Sequence, residues 1–201
     1  MQSRSDHAMV AVGFSPRSGY ESSLRRVATL EHICLPIPWA LSHLARMANT
    51  FTSLHYHIIF STKNREPWIR PEIESRVWSY LGGIARENDI KALLIGGIEN
   101  HVHLLLGLPP TVTVSKAVQL IKGGSSGWIK ETLGGSGRFG WQDGYAAFTV
   151  SKSLVPDLEG YIRNQREHHR MKTFEEEYRT VLEKHEIQYD EHYLFDGEFV
   201  G

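Results

Sequence analysis

Two His-x-His triplets, His55-Tyr56-His57 and His101-Val102-His103, and the Tyr161 to Gln165 stretch hold the residue types best suited to chemistry in this chain. Imidazole is a common metal ligand. Residues i and i+2 of a strand point to one face, so either triplet would present two imidazoles side by side to one cation. Eleven histidines in 201 residues produce such triplets by chance, and context must separate them. His101 and His103 begin the otherwise apolar run HVHLLLGL, where two imidazoles are costly unless something orders them. His55 and His57 read instead as the half-exposed edge of a first strand. Cations that activate phosphates usually take three or more protein ligands and leave positions open for substrate, so two histidines need a third group. Tyr161 and Gln165 are spaced i, i+4, which stacks them on one face of a helix. Gln165 can offer an amide oxygen there, with the phenol of Tyr161 beside it. The same spacing fits a core tyrosine and a solvated glutamine, and spacing alone leaves both readings open.

The elements that must position these residues follow from the apolar pattern. SLHYHIIFS (53–61) is rich in β-branched and aromatic residues and reads as a strand, closed by the polar turn Lys63-Asn64-Arg65. Pro71 takes a helix N1 position, with Ile73, Val77, Trp78, Leu81 and Ile84 on one face. KALLIGGI and HVHLLLGL form a hairpin around Glu99-Asn100. A second helix runs from Val112 to Leu133, weakened or broken at Gly123-Gly124, and the loop GGSGRFG follows. Tyr145 to Val150 is a fourth strand, residues 156–169 a helix, and residues 173–184 a final acidic helix. The order β-α-β-β-α-β predicts an α+β, ferredoxin-like (split β-α-β) domain: a four-stranded antiparallel sheet with helices on one face, plus a C-terminal helix carrying Tyr161.

Composition bounds the remaining choices. One cysteine, Cys34, permits no intramolecular disulfide and excludes zinc sites needing two or more thiolates, so a metal must be held by His, carboxylate or amide. Apolar runs such as Leu104-Leu105-Leu106 are far too short to cross a bilayer, which excludes a membrane partner. Residues 1–46 hold five Arg, no Lys, three acids and seven Ser without a sustained period. Their composition is that of an organelle leader, but Pro36 and Pro38 interrupt the amphipathic stretch. They read as an extension upstream of a start at Met47, leaving a catalytic domain over 47–170 and an acidic helix and tail over 171–201.

Three stretches together carry a family resemblance. Leu54-His55-Tyr56-His57-Ile58-Ile59-Phe60-Ser61-Thr62-Lys63-Asn64-Arg65, the triplet His101-Val102-His103 followed by three leucines, and Tyr161-Ile162-Arg163-Asn164-Gln165-Arg166-Glu167-His168-His169 resemble the single-tyrosine HUH transposases of small bacterial insertion sequences and their REP-associated relatives. The resemblance implies a cytoplasmic enzyme that cuts and rejoins single-stranded, hairpin-containing DNA. It implies His101, His103 and Gln165 as ligands of Mg2+ or Mn2+, Tyr161 as the nucleophile of a 5′-phosphotyrosine intermediate, and a homodimer. Glycines of the 134–140 segment, with Gly144 and Gly160, would then act as hinges.

The net charge of −1 gives no sign of a nucleic-acid partner, but it is unevenly spread. Residues 1–46 hold five basic against three acidic side chains, residues 47–166 thirteen against ten, and residues 167–201 four against ten. A modestly basic core is followed by an acidic end, read either as an ordinary solvated helix or as a shield against unspecific DNA binding. Lys63, Arg65, Lys116, Lys122, Lys152 and Arg166 are the DNA-contact candidates, with Trp128 and Trp141 as stacking platforms. Three rival readings stand beside the transposase: a domesticated hairpin-binding protein that no longer cuts, an RNA-binding sheet, and a zinc hydrolase without a covalent step. Residues 101–108 lack the aromatics that an RNA-binding sheet needs on a central strand.

Overall fold

A computed structural model describes residues 51–134 and 138–195. The readings for residues 1–46 and Met47, for the middle of the GGSGRFG loop and for the last residues of the tail lie outside them.

Four strands, β1 (His55–Ser61), β2 (Lys91–Ile98), β3 (His101–Gly107) and β4 (Ala146–Val150), form one sheet in the order β2-β3-β1-β4. Every pairing is antiparallel. With α1 (Pro71–Glu87) between β1 and β2 and α2 (Val114–Thr132) between β3 and β4, this is the split β-α-β arrangement. β1 therefore runs through the middle of the sheet. The expectation that His55 and His57 mark a half-exposed edge is corrected for His57, which is buried. The edge reading came from the polar residues of the strand, whereas pairing on both sides is decided by β3 and β4.

The two-residue period of the strands divides the sheet into two faces. Ile58, Phe60, Val102, Leu104 and Leu106 join Val77, Leu81, Ala117, Val118, Ile121 and Ile129 of α1 and α2 in the main core. His57, Ile59, His101, His103 and Leu105 alternate with them and face the other way. That second face is covered by α3 (Val155–Arg163), α4 (Gln165–His168) and α5 (Phe174–Lys184). A short α6 (Glu191–Leu194) follows.

Two helices differ from expectation. α2 continues through Gly123-Gly124, because Ala117, Val118, Ile121, Ser125 and Ile129 are buried along its face. That burial outweighs the roughly 1 kcal/mol lost at each glycine. Gly124 is also where the helices approach: a Cβ there would lie 3.2 Å from Ile84 Cδ1. The helix expected over 156–169 is divided at Asn164 into α3 and α4. α5 begins as its sequence directs. Thr173 caps the Glu176 amide and the Glu176 carboxylate returns to the Thr173 amide, a capping box.

Candidate active site

β3 brings His101 and His103 to the second face of the sheet, both fully buried. Each has its Nδ1 engaged. His101 Nδ1 lies 2.8 Å from Asn100 Oδ1, and His103 Nδ1 lies 2.9 Å from His57 Nε2, supplied by the neighbouring strand. In the tautomer that donates from Nδ1, both Nε2 atoms would turn lone pairs to one space, as metal ligands need. Burial, followed by the neighbouring His103, pushes the pKa of His57 from 6.5 down to about 3 and that of His101 well below the usual range. Both rings are neutral at physiological pH.

Helix α3 carries Tyr161 to the same space, and α4 carries Gln165. Their approach depends on Gly96 of β2, which pairs with His103. A Cβ on Gly96 would lie 2.9 Å from Ile162 Cγ2 and 3.2 Å from the Ile162 carbonyl, so only glycine lets this helix lie so close to the sheet. Gln165 is 1% exposed, and its Oε1 stands 3.1 Å from His101 Nε2 and 3.0 Å from His169 Nε2. The i, i+4 expectation thus holds across the break at Asn164, and His169 extends it by another four residues.

The centre of the constellation is a residue the sequence reading missed. Glu177 of α5, 2% exposed, accepts from the Tyr161 hydroxyl and, at 2.9 Å, from Gln165 Nε2. Its second oxygen is 3.0 Å from His169 Nε2. Its two oxygens lie 3.5 Å from His101 Nε2 and from His103 Nε2. Burial opposes ionisation of this carboxyl, but His103, His169 and the Tyr161 hydroxyl around it hold it far below the usual carboxylate range. The tyrosine responds in the opposite sense. Burial, the charge of Glu177 and the hydrogen bond to it raise the Tyr161 phenol well above its ordinary value. Around Tyr161 a cleft lined by His57, His168, Lys172, Glu177 and Lys184 opens the site.

The signal for Glu177 was present in the sequence. Phe174, Tyr178 and Leu182 recur at i, i+4 and i+8 and are buried against Ile59, Ala146 and Phe148. Position 177 falls on that same stripe, so the carboxylate points at the sheet. What the sequence did not reveal is that the stripe lands beside β3, where Phe174 stacks on the His101 ring at 4.5 Å between centroids.

The residues fit a divalent cation. His103 Nε2 is buried and lacks a hydrogen-bond partner. The ligand atoms of His101, His103 and Glu177 all lie within 4.8 Å of one another. Atoms bonded to a common small cation at about 2.0–2.2 Å are separated by roughly 3–3.5 Å, close to the 3.5 Å between each Nε2 and the carboxylate.

The proposed DNA contacts are dispersed. Lys63, Lys116 and Lys152 are exposed, Lys116 donating to Gln119 at 3.2 Å. Arg65 is paired with Glu175 at 2.6 Å, and Arg166 bridges Glu74 and Glu99 at 2.6 and 2.8 Å. Lys122 turns its ammonium to the carbonyls of Gln142, Asp143 and Gly144, and burial, partly opposed by Asp143, lowers its pKa to about 8. Trp141 is a core residue, donating to Ser125 at 2.9 Å, and Trp128 stacks on Tyr80.

Fold and site together define a ferredoxin-like α+β protein with a buried His, His, carboxylate centre and a phenol against it. The chain belongs to the IS200-like transposase family, whose model matches residues 50–165. It is 30% identical over 130 residues to the transposase for insertion sequence element IS200 of Salmonella typhimurium, covering 62% of this chain and 85% of that protein. To the ISDra2 transposase TnpA of Deinococcus radiodurans it is 29% identical over 119 residues, covering 56% of this chain and 84% of that one. A solved REP-associated tyrosine transposase bound to a REP hairpin is similar at 13% identity and a TM-score of 0.46, over 60% of this chain and 72% of that one. Among the described residues, no helix is long and apolar enough to cross a membrane.

Proposed function

We propose that this transposase is a metal-dependent single-strand DNA endonuclease and strand transferase that works through a 5′-phosphotyrosine intermediate on hairpin-containing DNA. The observation that carries the reading is the convergence of Tyr161, Gln165, His101 and His103 around a single point within one chain. His101, His103 and Gln165 would hold Mg2+ or Mn2+. When bound, the cation polarises the scissile phosphate and offsets charge on its oxygens. The chain's own groups do the rest. The Tyr161 oxygen attacks phosphorus and gives up its proton to solvent water, the cation lowering the cost of the phenolate. The bond from phosphorus to the 3′ oxygen breaks, and that oxygen leaves as a 3′-OH after taking a proton from solvent. Attack by another 3′-OH reverses the sequence and rejoins strands, because the phosphotyrosine conserves the phosphodiester bond.

Lys172 and Lys184, which line the cleft at Tyr161, would meet the backbone phosphates next to the scissile one. Lys63, Lys116 and Lys152 would serve the flanking DNA, as would Arg65, Lys122 and Arg166 where DNA displaces their present partners. The homodimer implied by the resemblance is kept as part of the proposal, with chemistry that does not depend on exchanging Tyr161 between subunits.

One observation favours a second reading, a hairpin-binding protein that does not cut: the Tyr161 phenol is held protonated beside Glu177. Labelled single-stranded hairpin DNA with Mg2+ or Mn2+ separates the two. The nuclease reading expects a denaturation-resistant adduct that is lost in Tyr161→Phe and in His101→Ala. An adduct that survives Tyr161→Phe overturns the nucleophile assignment, and binding without any adduct supports the second reading.

A further inference from the structure

We propose that Glu177 is a metal ligand, so that the cation is held by two imidazoles, one amide and one carboxylate, the last supplied by a helix beyond the family-matched stretch. The proposal rests on reading His101 and His103 as a metal site, and it deepens that reading.

Three observations lead to it. The first is position. Glu177 is among the most buried charged groups described, at 2% exposure, and its oxygens face His101 Nε2 and His103 Nε2 at equal distances of 3.5 Å. That separation is too long for a hydrogen bond and suits two atoms sharing a small cation. The second is hydrogen-bond accounting. With Asn100 and His57 engaging the Nδ1 atoms, the tautomer that donates from Nδ1 turns each Nε2 lone pair toward a Glu177 oxygen, and that of His101 also toward the Gln165 carbonyl oxygen. Nothing among the described residues gives His103 Nε2 a partner. A cation bound between them would pair with these lone pairs and with the carboxylate at once. The third is how firmly the carboxylate is delivered. The Thr173 and Glu176 capping box fixes the start of α5, and Phe174, Tyr178 and Leu182 fix its rotation, so Glu177 has no choice of face.

The chemistry is consistent. Hard divalent cations favour oxygen donors, and one carboxylate with one amide oxygen beside two imidazoles gives four protein ligands of an octahedron. Two positions then remain for phosphate oxygens. One negative ligand also leaves the bound cation with a net positive charge for the phosphate.

The test is calorimetric titration of the full chain with Mn2+ alone, without DNA, for the wild type and for Glu177→Gln, Glu177→Asp and His101→Ala. Glu177→Gln keeps an acceptor oxygen for the Tyr161 hydroxyl, and circular dichroism checks that each variant folds. The proposal expects Mn2+ affinity to fall at least about tenfold in Glu177→Gln, with Glu177→Asp between it and the wild type. Mn2+ should also raise the melting temperature of the wild type more than that of Glu177→Gln at the same concentration. If Glu177→Gln binds Mn2+ like the wild type while His101→Ala does not, the ligand assignment of Glu177 is overturned and the metal site itself stands. Should His101→Ala also bind unchanged, the reading on which this rests has failed. Loss of the DNA adduct in Glu177→Gln with Mn2+ affinity intact would make the carboxylate a proton acceptor only, and that too overturns the proposal.

Discussion

At the scale of single residues, the site is organised by groups that touch no substrate. His57 is the clearest. Its Nε2 lies 2.9 Å from His103 Nδ1, and with His57 as the acceptor this bond sets the tautomer and the direction of His103 Nε2. To accept that bond His57 must stay neutral, and burial with its pKa at about 3 keeps it so. Its replacement by alanine removes no ligand and yet leaves His103 free to choose the wrong tautomer. We expect His57→Ala to lower Mn2+ affinity by about 10- to 100-fold, a typical cost for a lost outer partner. Titration with Mn2+ checks this, and an unchanged affinity would show that the packing of β3 alone orients His103.

At the scale of elements, glycines report where helices and strands need to be close. Gly96 is required by the approach of Ile162, and through it by the placement of Tyr161. The pair in α2 is divided. No heavy atom lies within 4 Å of a Cβ built on Gly123, whereas on Gly124 the Cβ meets Ile84 at 3.2 Å. Gly123→Ala is therefore expected to stabilise the protein by about 0.5–1 kcal/mol, the helix-propensity gain. Gly124→Ala should gain less or lose, because Ile84 must yield. Thermal melts of the two variants compared with the wild type decide it, and an equal gain in both would refute the close contact of α1 with α2.

At the scale of the whole molecule, the acidic end belongs to the site rather than to the solvent around it. α5 closes the second face of the sheet with Phe174, Tyr178 and Leu182, and it carries Glu177 inward on the same stripe. Two other acids of this end are paired with arginines: Glu175 of α5 with Arg65, and Glu191 of α6 with Arg179 at 3.0 Å. With the proposed cation on Glu177, stability and metal binding would be coupled through one helix. Phe174→Ala should cost about 3–5 kcal/mol and weaken Mn2+ binding in the same variant. Denaturant unfolding and Mn2+ titration measure the two effects, and full Mn2+ affinity in a destabilised Phe174→Ala would mean that α5 is not what presents Glu177.

The sequence by itself determined the order of elements, because a period of two marks the strands and a period near four marks the helices, and both are local. It determined that His101 and His103 share a face, and that Tyr161 and Gln165 do, for the same reason. It also carried the caps, as the Thr173 to Glu176 box shows. Tertiary structure alone decided which strand lies in the middle, so His57, read as an edge residue, became the partner of His103. It decided that α2 survives two glycines, since burial of a whole helix face exceeds the local cost. It decided, too, that the apolar stripe of α5 meets β3, bringing a carboxylate 3.5 Å from two imidazoles that lie 76 and 74 positions earlier in the chain. Such long-range meetings depend on how faces pack rather than on neighbours in sequence, and no local pattern encodes them.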